Sequence, residues 1–334
     1  MPDITEKSLT FAESVNRALR RAMNEDPTTL LFGEDVGIPG GVFGVTKGLH
    51  KQFGNRVFDT PISEAAILGG AVGAALVGRR PIVEIMWADF SLVALDQIVN
   101  QAANVRYISQ GKLRAPITIR TQQGSGPGAC AQHSQNLEAL FAHIPGLQVC
   151  IPATHQDAYD LLLTSIHSDD PTIVIENRNL YHGTKNTVQL DGAIEPIGGA
   201  TLRRRGDDIT IATWGAIQYE VITAAEKLEE EGISVEVIDM RWMRPFDIDT
   251  VADSVTRTGH LMVVHEAHEF AGMGAELVAS IVERGTRLVQ PPVRIGMPDV
   301  RIPAAPTLLA AVVPNSSRIE NRIKAILEPS LQPT

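Results

Sequence analysis

Residues 81–86 read PIVEIM, a nearly unbroken apolar run that starts on a proline. A run of this length without polar alternation is the pattern of a strand buried on both faces. The chain around it repeats the phrase. LVALDQIVNQAANVRYI (92–108) has helical spacing, with Gly111 near its stop. PITIRT (116–121), LQVCIP (147–152) and TIVIEN (172–177) read as further strands, separated by helical NLEALFAHI (136–144) and DAYDLLLTSI (157–166). Strands alternating with helices predict a parallel sheet covered on both faces. Residues 178–208 break the rhythm: they are polar, hold two glycine-containing turns and carry the basic run Arg203-Arg204-Arg205. The rhythm returns with DITIAT (208–213), a helix over 217–231, SVEVIDM (234–240), HLMVVHE (260–266), a helix over 274–284 and PVRIGM (292–297). The expected organisation is therefore an α/β domain over 1–185, a linker over 186–206 and a second α/β domain over 207–334. A length of 334 residues suits two domains.

Composition narrows the function classes. The net charge of −10 argues against a nucleic-acid surface and against an anionic membrane surface. Cys130 and Cys150 are the only cysteines, too few for a disulfide scaffold, so a reducing compartment, the cytoplasm, is expected. The start, MPDITEKSL, has no apolar signal core, and no run is long and apolar enough to span a bilayer.

One stretch poses a chemical question. Residues 59–78 read DTPISEAAILGGAVGAALVG, a lone carboxylate, Glu64, ahead of a run of tiny residues. Ser63 is an N-cap candidate, Glu64 falls in the first turn, and Gly78 with Pro81 beyond it fits the stop. Ala65, Gly69, Gly73 and Val77 fall on one stripe of that helix, and Ala66, Gly70 and Ala74 on the next. Glycine inside a helix costs about 1 kcal/mol relative to alanine, so several of them require close backbone approach to another helix or a ligand. By spacing alone, Glu64 complements the helix dipole or serves a ligand, and both readings stand.

Other signals are weaker. GVFGVTKG (41–48) lacks P-loop spacing, GSGPGA (124–129) precedes its helix by too far for a dinucleotide fingerprint, and AGMGAEL (271–277) lacks the third glycine. Each reads as a plain turn. HEAHE (265–269) spaces its histidines three apart where H-E-x-x-H needs four. No G-x-S-x-G elbow is present. His133, in GACAQHSQN, lies in a loop after a strand, where ligands of parallel sheets bind.

Five blocks occur in order: LLFGEDVG (30–37), DTPISEAAILGGAVGAALVG, DFSLVALDQIVNQAANVRY (89–107), AQHSQNLEALFAHIPGLQV (131–149) and VVHEAHEFAGMGAE (263–276). Together they resemble the beta subunit of the thiamine-diphosphate-dependent component of 2-oxo acid dehydrogenase complexes, the pyruvate, branched-chain and acetoin types. The resemblance runs over nearly the whole chain. It implies a pyrimidine-binding α/β domain followed by a transketolase C-terminal-like α/β domain, and a chain active only with an alpha partner in a heterotetramer of two alpha and two beta chains.

Residue by residue, Glu64 matches the glutamate that hydrogen-bonds the ring nitrogen of the cofactor's aminopyrimidine. A carboxyl there favours the imino tautomer, whose nitrogen takes the proton from the thiazolium carbon. Phe90 matches the aromatic that packs on the pyrimidine, with Ile62 beside it. His133 matches the histidine near the substrate carboxylate and the lipoyl thiolester chemistry. Glu34 matches an acid in a polar path between two active sites. SIHSDDP (165–171) sits where some members bind potassium, which implies the main-chain oxygens of Ile117, Ser165 and Ile166 together with Asp170 as ligands. Here Ser168 and Asp169 replace the Asp and Asn of many members. The loop TQQGSGPGA looks nearer the acetoin type. The family's G-D-G magnesium motif is absent, which implies that the alpha chain supplies the magnesium and diphosphate ligands. An acyltransferase core is the further partner implied. Two other classes remain in view at this level: a stand-alone NAD(P)-dependent Rossmann-type oxidoreductase, and a non-catalytic scaffold subunit of the same fold.

Overall fold

The computed structural model describes residues 5–126 and 128–327. The strands are β1 (Glu6–Leu9), β2 (Thr29–Gly33), β3 (Val57–Asp59), β4 (Arg80–Ile85), β5 (Thr118–Gln123), β6 (Gln148–Cys150), β7 (Thr172–Asn177), β8 (Asn186–Gln189), β9 (Thr201–Arg204), β10 (Ile209–Thr213), β11 (Val235–Asp239), β12 (Trp242–Arg244), β13 (Leu261–His268) and β14 (Val293–Met297). The chain divides into two compact units. One comprises 1–124, 132–197 and 243–245; the other comprises 125–131, 198–242 and 246–334.

The first unit is built on a seven-stranded sheet in the order β12-β6-β7-β5-β4-β2-β3. Its pairs β2–β3, β2–β4, β4–β5, β5–β7 and β6–β7 are all parallel. Every residue of β5 and of β7 is buried, as the apolar runs require of central strands covered on both faces. Three charged side chains cross this interior. Arg120 on β5 donates from Nη1 to Glu84 on β4 at 2.5 Å. From Nε and Nη2 it donates to Glu176 on β7 at 2.7 and 2.8 Å, and Tyr181 Oη donates to Glu176 at 2.6 Å. Burial of the two carboxylates is sustained by this bidentate pairing; loss of one partner from such a group costs about 3–5 kcal/mol. Burial pushes the Glu84 carboxyl up, Arg120 opposes it, and Glu176 adds to it.

The helix Glu64–Leu76 begins as its sequence suggested and ends at Gly78. Gly78 (φ +85°) donates to Ala75 and Arg79 donates to Ala74, which satisfies the last carbonyls in a Schellman arrangement. Ser63 occupies the N-cap position, but only its main-chain oxygen takes part; the hydroxyl makes no capping bond. The expected single helix over 92–108 is instead a succession: a 3₁₀ stretch Ala88–Ala94, a π turn Gln97–Gln101, a 3₁₀ turn Ala102–Asn104 and one α-turn Val105–Ile108. Two close approaches pin it. A Cβ on Gly69 would lie 3.3 Å from Gln97 Oε1, and one on Gly146 would lie 2.2 Å from the Ala103 oxygen. Sequence periodicity registers the apolar face but not the change of pitch.

The stretch 186–206, read as a linker, contributes two strands. β8 pairs antiparallel with β1, and β9 lies antiparallel on β11. Arg203 binds Asp239 at 2.8 Å and Arg204 reaches the Val235 oxygen at 2.6 Å, so the basic run serves the edge of the second sheet. That sheet has the order β14-β13-β10-β11-β9, with parallel pairs except at β9. Ile211, Val221, Leu228, Val237, Ile319 and Ile323 are among the residues of its core.

Candidate active site

The five residues singled out for the cofactor site sit just beyond the ends of four neighbouring strands. His133 follows β5, Phe90 follows β4, Glu34 follows β2, and Ile62 and Glu64 follow β3. In sheet order these strands are β5-β4-β2-β3, so one edge of the sheet, the carboxyl edge, carries all of them. This is where open parallel sheets bind ligands.

Glu64 stands at the first position of its helix, half-buried, and its carboxylate makes no hydrogen bond or ion pair among the described residues. Glu34 is close enough for its charge to be felt: burial, then Asp35, then Glu64 push the Glu34 carboxyl up. Gly33 precedes Glu34 because β4 runs too near for a side chain; a Cβ there would lie 2.6 Å from the Glu84 oxygen. Asp59, at the end of β3, accepts from the N–H groups of Gly37 and Ile38 at 2.6 and 3.1 Å, which ties the loop after Glu34 to the strand that leads to Glu64. Ile62 is 74% exposed.

His133 is wedged between two aromatic rings. Its centroid is 5.0 Å from Trp87 and 5.4 Å from Phe90, edge-on to both. Arg178 covers Trp87 at 4.6 Å, a cation–π contact. Phe43 meets Trp87 at 5.4 Å and Tyr181 at 5.7 Å, joining the wedge to the buried arginine–glutamate group. A hydrogen bond of 2.8 Å runs from Gln135 Nε2 to Asp89 Oδ1. Trp87, Asp89, Gln135 and Arg178 were not singled out from sequence. Their signal is there: W-A-D-F places two aromatics three apart, and A-Q-H-S-Q brackets the histidine with amides.

The four residues expected around potassium lie ahead of the amino ends of β5 and β7. Ile117 precedes β5, and 165–170 lead into β7. The main-chain oxygens of Ile166 and Ser168 both accept from Arg80 Nη1, at 2.8 and 2.6 Å, so they converge. The Ile117 oxygen accepts from Thr172 N–H at 2.9 Å and the Ser165 oxygen from Ser168 N–H at 3.2 Å. The Asp170 carboxylate is engaged by Arg106 Nε at 2.5 Å. A cation here would be held by the Ile117 and Ser165 oxygens on their second lone pairs.

The remaining motifs resolve as structure. HEAHE places His265 in the interior and leaves His268 bonded to the Val300 oxygen at 2.9 Å. Among the described residues no cluster of three or more His, Cys, Asp or Glu suits a metal ion. GSGPGA includes residue 127, which lies outside the described residues. No described helix is long and apolar enough to cross a membrane.

Comparison with known proteins bears on these features together. Residues 7–184 match the transketolase pyrimidine-binding domain, and residues 198–319 match the transketolase C-terminal domain. The chain is 42% identical over 323 residues to the pyruvate dehydrogenase E1 component subunit beta of Staphylococcus epidermidis, covering 96% of this chain and 99% of that one. It is 41% identical over 327 residues to the same subunit of Staphylococcus aureus, with the same coverage. A solved split-gene transketolase, described as an inactive beta4 tetramer, superposes with a TM-score of 0.78 over 96% of this chain and 99% of its own, at 23% identity, which speaks to the fold. Neither a Rossmann-type dehydrogenase nor a scaffold subunit is favoured by these matches. The chain belongs to the family of beta subunits of the thiamine-diphosphate-dependent 2-oxo acid dehydrogenase E1 component.

Proposed function

We propose that this chain forms the pyrimidine-holding half of a thiamine-diphosphate site, completed by an alpha chain in a heterotetramer, and that the assembly decarboxylates a 2-oxo acid and passes the acyl group to a lipoyl domain. Pyruvate is the first substrate to test, because the relatives above are named for it. The observation that carries the reading is the pairing along one sheet edge of an unengaged carboxylate, Glu64, with an aromatic-bracketed histidine, His133.

When bound, the cofactor supplies a nucleophilic carbon and an electron sink. Glu64 would hold the proton at the pyrimidine ring nitrogen, Phe90 and Ile62 would give the ring apolar walls, and Glu34, whose carboxyl burial and then Asp35 and Glu64 push up, is the acid of the polar path between the two active sites. His133, near the substrate carboxylate, would supply a donor or acceptor at the thiolester in acyl transfer. The site residues include no cation set for a diphosphate, and G-D-G is absent, so magnesium and diphosphate ligands are assigned to the alpha chain. On the helix Glu64–Leu76, Gly70 and Gly73 face open space, with Leu76 and Val77 exposed beside them; this face suits close packing of a partner helix. The main-chain oxygens of Ile117, Ser165 and Ile166 with Asp170 are the proposed potassium ligands, and potassium there would displace the Arg80 guanidinium from the Ile166 oxygen and compete with Arg106 for Asp170. The second domain is assigned to contact with an acyltransferase core, and the cytoplasm is the assigned compartment.

The test is reconstitution. The chain alone should bind thiamine diphosphate weakly and catalyse nothing, and adding the alpha chain should restore magnesium-dependent decarboxylation of pyruvate, of a branched-chain 2-oxo acid, or cleavage of acetoin. Tight stoichiometric cofactor binding by this chain alone overturns the divided site.

A further inference from the structure

The turn that carries Phe90 holds a second side chain aimed at the His133 loop. Phe90 N–H donates to the Trp87 oxygen at 2.9 Å, closing a 3₁₀ turn that sets Trp87 and Phe90 on one side, three residues apart. Asp89 lies between them and is 8% exposed. Its Oδ1 accepts from Gln135 Nε2 at 2.8 Å, and among the described residues its buried Oδ2 has no hydrogen-bond partner. Buried carboxylates ordinarily collect several donors. This one makes a single hydrogen bond, to the residue two positions beyond His133.

We propose that Asp89 is a positioning residue for His133. By holding Gln135 it fastens the segment 132–135 to the Trp87–Phe90 turn, and the imidazole stays wedged at the angle that acyl transfer needs. The ring contacts act on the imidazole itself and leave the backbone of the segment that carries it untied. The hydrogen bond anchors the far side of the histidine. Gln135 requires an oxygen acceptor at residue 89, not a charge, so Asn serves where Leu does not.

The proposal rests on the reading of His133 as a group acting in acyl transfer, and the experiment separates the two. In the assembled alpha–beta enzyme, decarboxylation is followed with an artificial electron acceptor, and acyl transfer with isolated lipoyl domain. Asp89→Leu is expected to lower kcat for acyl transfer roughly tenfold or more while its KM for lipoyl domain and the decarboxylation rate stay within about threefold; Asp89→Asn is expected to stay within about threefold of wild type throughout. Asp89→Leu combined with Gln135→Leu should be no worse than either alone. A readout independent of turnover is the ¹⁵N spectrum of the labelled imidazole of His133 in the full chain, assigned by its loss in His133→Ala. It should be single and sharp in wild type and Asp89→Asn, and broadened or doubled in Asp89→Leu. Equal loss of both reaction steps in Asp89→Leu, failure of Asn to rescue, or an imidazole signal unchanged by Leu overturns the proposal. An assembled wild type that fails to decarboxylate any 2-oxo acid sinks the functional reading instead, and the imidazole spectrum still decides the role of Asp89.

Discussion

Two histidines of this chain each lie 5.0 Å from a tryptophan, and they have opposite fates. His133 meets Trp87 edge-on at 88°, is half-buried and stands past the end of a strand in the first unit. His265 lies flat on Trp214 at 16°, is fully buried and sits within β13 of the second. Its Nδ1 faces the Ala267 oxygen at 3.1 Å, and its Nε2 has no partner. Three glycines make its slot: Cβ atoms on Gly272, Gly274 and Gly296 would lie 3.0, 2.7 and 2.9 Å from the ring. Burial pulls its pKa down to about 4, with Arg294 and His268 adding to the fall and the Ala267 carbonyl opposing it. An imidazole stacked flat in a glycine-lined slot is held neutral and serves the fold. His133, half-buried and edge-on to two rings, makes no hydrogen bond among the described residues, and its proposed role is chemical.

Four experiments break or sharpen that contrast. The largest effect belongs to the carboxylate that shares His133's edge of the sheet. Glu64→Gln keeps shape and removes one first-turn charge, worth about 0.3–1 kcal/mol. Folding and assembly should hardly change. Hydrogen–deuterium exchange at the thiazolium carbon of the assembled enzyme should slow by roughly a thousandfold, the scale of lost acid–base catalysis. Equal exchange rates would return Glu64 to a charge on a helix end.

Next comes His265 as a pH sensor of stability. Its folded pKa lies below its unfolded value near 6.5. The unfolded chain therefore takes up the proton first. Stability is full above pH 6.5, declines as pH falls through the window from 6.5 to about 4, and levels off below it. The total loss is about 3 kcal/mol at 1.36 kcal/mol per unit. Denaturant midpoints across this range should show the slope, and His265→Phe should remove it. A slope that persists in the variant assigns it to other groups.

His133→Ala should lower acyl transfer roughly a hundredfold, about 2.7 kcal/mol, with cofactor binding little changed. Unchanged turnover would place this histidine in the same structural category as His265. The smallest effect concerns the loop 165–170. If potassium binds its main-chain oxygens, replacing choline chloride by potassium chloride at constant ionic strength should stabilise the full chain by about 1.4 kcal/mol at a roughly tenfold excess over Kd. A midpoint indifferent to the cation removes that site.

How far the sequence carried these distinctions differs by residue. The runs of β4, β7 and β10 announced their strands, because a strand buried on both faces leaves a largely apolar signature. Glu64 and His133 were legible because a family pattern surrounds them, and Gly78 because only a left-handed residue ends that helix so. Trp87, Asp89 and Gln135 were not, since their meaning depends on a turn and a loop some forty residues apart lying together (Asp89 and Gln135 are 46 apart). The pitch change after Phe90 was hidden for a related reason. Periodicity records which face is apolar, whereas the π turn answers to neighbours at Gly69 and Gly146. His265 and its three glycines are spread over 265–296, and nothing local ties Gly296 to the ring it accommodates.

The placement of five candidate site residues past four adjacent strands also sets a length. Hydrogen-bonded strands are about 4.8 Å apart, so the end of β5 and the end of β3, three gaps away, are roughly 14 Å apart. That span is written in backbone hydrogen bonds, which no side-chain substitution lengthens. Loops beyond the strands are free to vary in sequence and so to retune chemistry at either end. The size of molecule that can be touched from both ends at once is fixed by the weave of the sheet, and a lineage seeking a much longer or shorter ligand would have to change the strand order, not the loops.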